Sequence, residues 1–167
     1  DGIAAKPGEM LTLGEIEGAG CITHFYIGTT TPAAVMHREL VLRMYWDGES
    51  YPSVEVPLGD FFLMPNEAYV RPIQTAMVII NPGTAERGSH GYHSYLPMPF
   101  ANGARITIEN QTSKTSHPFF YAIEYETYSE PIGSEIGRLH AQWKQSRTTA
   151  AHVPEAERNQ VQWSGRN

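Results

Sequence analysis

The sequence predicts an all-β protein, an antiparallel β-sandwich of the jelly-roll type with at most one short helix near residues 134–145. Three observations predict it. Runs of four to nine residues rich in β-branched and aromatic side chains alternate apolar with polar, the period of a half-buried strand. Turn signals built on Gly, Pro and Asp-Gly punctuate those runs. Nine Tyr, six Phe and three Trp give the chain an aromatic content that suits pleated surfaces better than helices.

The elements follow in order. Met10, Leu11, Leu13 and Ile16 mark a first strand, though their alternation is imperfect. Glu17-Gly18-Ala19-Gly20 is a turn, and residues 21–27 form the next strand. Residues 29–34 read as a linker. Residues 38–46 give the clearest strand, with Leu40, Leu42, Met44 and Trp46 on one face and Val41, Arg43 and Tyr45 on the other. Asp47-Gly48 ends it. The piece Ser53-Val54-Glu55-Val56 lies between Pro52 and Pro57, which cannot donate to a ladder, so it reads as an edge or a connector. Residues 58–62 fit a loop or one helical turn. Residues 69–80 hold one or two strands, and 81–92, with three Gly and one Pro, read as a long loop. Strands follow at 94–100, 104–109 and 119–128; in the last, Phe120, Ala122, Glu124 and Glu126 oppose Tyr121, Ile123 and Tyr125. Ile136, Leu139, His140 and Trp143 fall at helical spacing. Residues 1–145 are thus read as a single domain, and 146–167 as a polar tail or linker.

Length and charge restrict function. A chain of 167 residues is one domain long and can bury a core without disulfide or metal. The net charge is −6 and no basic run occurs, which argues against nucleic acid and against an anionic membrane surface. No stretch reaches the ~20 apolar residues of a membrane span. Cys21 is the one cysteine and reads as a small buried apolar residue. The chain opens on Asp1 rather than Met, so its first residue is not read as a natural start, and localisation stays open between cytoplasm and secretion. No phosphate loop, dinucleotide fingerprint or serine-nucleophile elbow is present, and no cofactor or metal is expected.

Several residues nonetheless invite chemistry. Asp47, Glu49, Glu55 and Asp60 cluster around a strand end and two turns. Paired carboxylates are what glycoside hydrolysis requires, one to protonate the leaving oxygen and one to attack or to activate water. Turn formation and solvated charge explain most of the cluster better than catalysis does. Asp60 stands out because its neighbours are apolar and a carboxylate there needs partners. His90 and His93 sit in the glycine-rich segment without a completing ligand. His24 lies inside a strand. Trp46, Tyr92, Tyr95 and Trp143 could stack on sugar rings or fill a core.

Longer stretches carry more. Leu42-Arg43-Met44-Tyr45-Trp46-Asp47-Gly48-Glu49 and Pro52-Ser53-Val54-Glu55-Val56-Pro57-Leu58-Gly59-Asp60-Phe61-Phe62 resemble the signature of glycoside hydrolase family 172. Gly18-Ala19-Gly20-Cys21-Ile22-Thr23-His24, Tyr95-Leu96-Pro97-Met98-Pro99-Phe100 and His140-Ala141-Gln142-Trp143 agree in the same order. The resemblance spans nearly the whole chain. It implies the N-terminal jelly roll of a bacterial, retaining enzyme acting on fructofuranosides or arabinofuranosides. It further implies a second jelly-roll half on the same or a separate chain, trimers or hexamers as the homo-oligomer, and carbohydrate as ligand. The family's two catalytic glutamates belong to Trp-Gly-Glu-Gly-Asp-like and Gly-Thr-Glu-Asp-Tyr-like stretches, neither of which occurs in this sequence. No catalytic residue is therefore assigned here. Where the family continues Phe-Phe with Gly, this chain has Leu63-Met64-Pro65. Asp60, Trp46, His24 and Arg43 are the expected substrate-binding residues, although strand alternation puts Arg43 and Trp46 on opposite faces. The competing expectation is a non-catalytic jelly roll that assembles or binds carbohydrate.

Overall fold

A computed structural model describes residues 2–29, 38, 40–64, 73–82, 90–130 and 132–144. Among the described residues ten strands and one helical turn follow: β1 (Met10–Glu17), β2 (Gly20–Thr29), β3 (Leu40–Trp46), β4 (Val54–Pro57), α1 (Leu58–Phe61), β5 (Val78–Pro82), β6 (His90–Ser94), β7 (Met98–Phe100), β8 (Gly103–Asn110), β9 (Phe119–Thr127) and β10 (Ala141–Gln142). They form two five-stranded sheets. One runs β1-β8-β3-β4-β10. In the other, β2 pairs β9 on one side, β6 and β7 pair β2 as well, and β5 closes on β6. All pairings are antiparallel except β10 with β4, which is parallel. The all-β sandwich is the architecture the alternation and the turn signals predict.

Alternation decides what faces inward. On β3, Leu40, Leu42, Met44 and Trp46 are at most 1% exposed, while Arg43 emerges on the outer face. The opposite sheet supplies Phe25, Ile27, Val78, Ile80 and Tyr92 to the same core. Side chains of this size are worth roughly 2 kcal/mol each when fully buried. The turn α1 closes one end of the sandwich. Phe61 and Phe62 pack against Phe25, with ring centroids 5.9 and 5.7 Å away, and Phe62 reaches Tyr92 at 5.8 Å.

Four segments depart from the sequence reading. Residues 90–94 are strand β6 rather than loop, because β2 and β5 both pair with them. Residues 95–97 interrupt the strand expected over 94–100, so that β7 begins at Met98. The piece around Glu55 pairs on both sides, with β3 and with β10, so its prolines do not leave it at the rim. Among the described residues of 134–145 there is no helix: a turn at 134–135 leads to β10, where the Ala141 and Trp143 amides donate to the Ser53 and Glu55 carbonyls at 3.1 and 3.2 Å. The β4 ladder offers those backbone groups partners that a helix would forgo. The expected linker beyond Thr29, the strand start at 69–72 and the tail at 146–167 lie outside the described residues.

Candidate functional site

The outer face of the β1-β8-β3-β4-β10 sheet carries a groove of about 300 Å³ lined by Arg38, Arg43, Glu55, Val56, Gln111 and Trp143, among others. Arg43 stands at its centre. Its register neighbour on β4 is Glu55, and its Nε donates to Glu55 Oε2 at 3.0 Å. Its Nη1 donates to Glu109 Oε2 on β8 at 2.6 Å. Directly opposed and diagonal neighbours on one sheet face are the pairs that can meet, which is why these three charges meet. The Gln111 amide, donating to Glu109 at 2.9 Å, and the Arg43 guanidinium together hold the Glu109 carboxyl below its usual range, against the opposing effect of burial. Burial disfavours the Arg43 cation, but its bonds to Glu109 and Glu55 outweigh that and raise its pKa.

Asp60 enters the same region from α1. Its Oδ1 accepts from Arg38 Nη2 at 3.2 Å, and the Arg38 guanidinium lies 4.9 Å from the centre of the Trp143 ring. The other two carboxylates of the sequence cluster are also engaged. Asp47, at φ 57°, takes the turn position after β3. Its Oδ1 accepts from the Ala101 and Asn102 amides, both at 2.7 Å, and its Oδ2 from Arg138 Nε at 2.7 Å. Burial would push the Asp47 carboxyl up, yet the Asn102 amide, Arg138 and the Ala101 amide outweigh it and hold it low. Glu49 accepts from the Ser53 hydroxyl at 3.0 Å.

His24 lies across the molecule, on the outer face of the other sheet. Its Nδ1 is 3.2 Å from Glu124 Oε1, and its Nε2 is 3.0 Å from His93 Nδ1. The two imidazoles are within 1° of parallel with centroids 5.3 Å apart, so they meet edge to edge. Tyr95 stacks on His24 at 4.5 Å. Asn81 Nδ2 comes within 3.5 Å of His93 Nε2. Only one proton arrangement satisfies this chain with both rings neutral: His24 donates to Glu124, His93 to His24 and Asn81 to His93. Burial, and then the nearby His24, lower the His93 pKa.

Trp46 is fully buried, its indole N–H donating to the Leu139 carbonyl at 2.8 Å. In the described structure it is a core side chain that pins residue 139, with no face open to a ligand.

A family model described as GH172 domain-like matches residues 2–121, which covers β1 to β8, α1 and the first three residues of β9. The chain belongs to that family. No curated protein matches it. Membership makes this a glycoside-hydrolase-related domain.

In this GH172-like domain the four residues expected at a binding site go to three places. Arg43 and Asp60 belong to one groove, Asp60 through Arg38. His24 is on the opposite outer face, and Trp46 lies between the two, in the core. Sequence reasoning missed Arg38, Glu109, Gln111, Glu124 and Arg138. Only Glu109 and Glu124 carried a signal, since each falls at an alternating position of a segment read as a strand; in the structure β8 alternates in burial around Glu109, while β9 does not alternate around Glu124. Among the described residues no group of three or more His, Cys, Asp or Glu side chains could hold a metal ion.

Proposed function

We propose that this chain is the N-terminal scaffold half of a retaining glycoside hydrolase acting on fructofuranosides or arabinofuranosides. In this reading the catalytic glutamates lie outside the chain, on a second jelly-roll half, and the whole assembles as a trimer or hexamer. The observation that supports a scaffolding role is the commitment of the carboxylates. A retaining pair needs two carboxyl groups about 5–5.5 Å apart across an open site, one of them with a raised pKa so that it can act as an acid. Around the groove, Glu55 and Glu109 pair with Arg43 and Asp60 pairs with Arg38, and at the turn after β3 Asp47 pairs with Arg138. Glu109 and Asp47 are shifted down, the wrong direction for an acid catalyst. Such groups orient and support a ligand; they do not deliver protons to it.

Arg43, and Asp60 through Arg38, are the carbohydrate contacts this reading keeps. Packed sheets are about 10 Å apart, so a sugar unit held at Arg43 does not reach His24 on the far face. The test is hydrolysis of aryl fructofuranosides and arabinofuranosides by the chain alone and with a second-half polypeptide bearing the two glutamate stretches. Turnover is expected only with both halves present. Hydrolysis by the chain alone overturns the split site.

A further inference from the structure

The groove at Arg43 does not end at Trp143. Glu55 and Trp143 also line a second hollow of about 300 Å³, which adds Tyr51, Pro52, Gln142 and Lys144. Tyr51, Pro52 and Gln142 in turn line a third, of about 430 Å³, which ends at Glu49 and His140. Shared walls make the three hollows one trough along β4 and β10. We infer that this trough is a binding site for a neutral oligosaccharide chain, held side-on without being cleaved.

Three features select that ligand. First, the trough is long and open, which suits a linear chain better than a single ring in a deep pocket. Second, its charges cancel locally. Arg43 is neutralised by Glu55 and Glu109, and Arg38 by Asp60, and the trough holds one further charge of each sign, Lys144 in the second hollow and Glu49 in the third. A phosphate-bearing or polyanionic ligand would meet no unpaired excess of positive charge. Third, the ligand-facing groups are those a polyol needs. Tyr51, 83% exposed, and Trp143, 36% exposed, offer ring surface. Gln111, Gln142, Glu55 and His140 offer alternating donors and acceptors. The aliphatic lining is limited to small residues such as Val41, Val56 and Ala141, too little for the apolar centre of a stable protein interface.

The trough also explains an otherwise wasteful exposure. Tyr51 follows the Asp47-Gly48 turn and lies almost wholly in solvent, where nothing within the fold needs an aromatic ring. Its neighbour Pro52 and the β4–β10 ladder fix the backbone beside it, so little order would be lost on binding.

This inference rests on the reading of the chain as glycan-directed, but it requires no catalytic glutamate. The experiment is calorimetric titration of the full chain with neutral oligosaccharides of two to six units, namely fructo-, arabino- and cello-oligosaccharides, each against wild type, Tyr51→Ala and Trp143→Ala. Expected are saturable binding to at least one series, affinity that rises with length, and a loss of ten-fold or more in each variant. Tyr51 is nearly free of the fold, so Tyr51→Ala keeps the test sound if Trp143→Ala unfolds. Three results overturn the site: no binding in any series, a disaccharide bound as tightly as the hexamer, or affinity unchanged in Tyr51→Ala. So does a self-association that Tyr51→Ala abolishes, since the trough would then be a protein contact. Failure of hydrolysis in the two-half assay, with length-dependent binding intact, refutes the scaffold reading and leaves the trough standing.

Discussion

Gly18 and Gly20 stand two residues apart where β1 turns into β2, and the chain needs each for a different reason. Gly18 sits at φ 83° with open space around it, so only backbone conformation resists a side chain there. Gly20 has ordinary backbone angles but no room. A Cβ would overlap the Glu126 carbonyl oxygen on β9 and lie 2.8 Å from Phe100 Cζ on β7. Backbone cannot yield as a flexible side chain can. Gly18→Ala is therefore expected to cost about 1 kcal/mol, the price of a left-handed alanine, and Gly20→Ala about 3 kcal/mol, as overpacking against fixed atoms. Urea unfolding of the two variants checks the ranking. Equal losses would show that β9 can shift away from β2, against the close pairing described.

The segment 132–144 shows how an element can be held almost wholly from outside. Trp46 grips the Leu139 carbonyl, Asp47 holds Arg138, and Ser53 and Glu55 supply carbonyls to the Ala141 and Trp143 amides. Trp46→Phe keeps most of the buried volume and removes the indole donor. It is expected to cost about 1–2 kcal/mol and to speed hydrogen exchange at Ala141 and Trp143 well before the β3–β8 ladder opens. Exchange that rises equally in all strands would mean that the strap is not a separable unit. The same segment marks where the sequence stops being legible. β3 could be read because every second side chain meets the core and a strong turn follows. The apolar spacing of Ile136, Leu139, His140 and Trp143 fits a helix, yet the partners that decide its form sit 80 or more residues earlier. β6 was obscured by Gly91, which suits a strand here because the Tyr26 and His93 rings lie over it. The site was legible in part for a similar reason. The apolar neighbours of Asp60 announce that it needs a partner, but the partner, Arg38, is 22 residues away and follows no local rule.

For the whole molecule, the lowered titrations of His93, Asp47 and Glu109 pull one way with pH. His93 is held below the ordinary imidazole value of 6.5, so at intermediate pH the unfolded chain binds the proton first and stability falls as pH drops. Asp47 and Glu109 are held below their ordinary values of 3.8 and 4.5. What they contribute is present above those values and is lost as pH falls through the lower folded ones. The two effects occupy separate windows, and His93 on β6 shares no partner with Asp47 in the turn after β3 or Glu109 on β8, so they should add. The urea midpoint is expected to decline in two stages, one beginning below about pH 6.5 and a steeper one below about pH 4. His93→Gln should flatten the first stage and leave the second. Asp47→Asn should start from a lower midpoint and flatten part of the second. A midpoint unchanged between about pH 7.5 and about pH 5.5 would show that His93 titrates in the fold as it does in the unfolded chain, and the edge-to-edge histidine pair would then not be the arrangement present in solution.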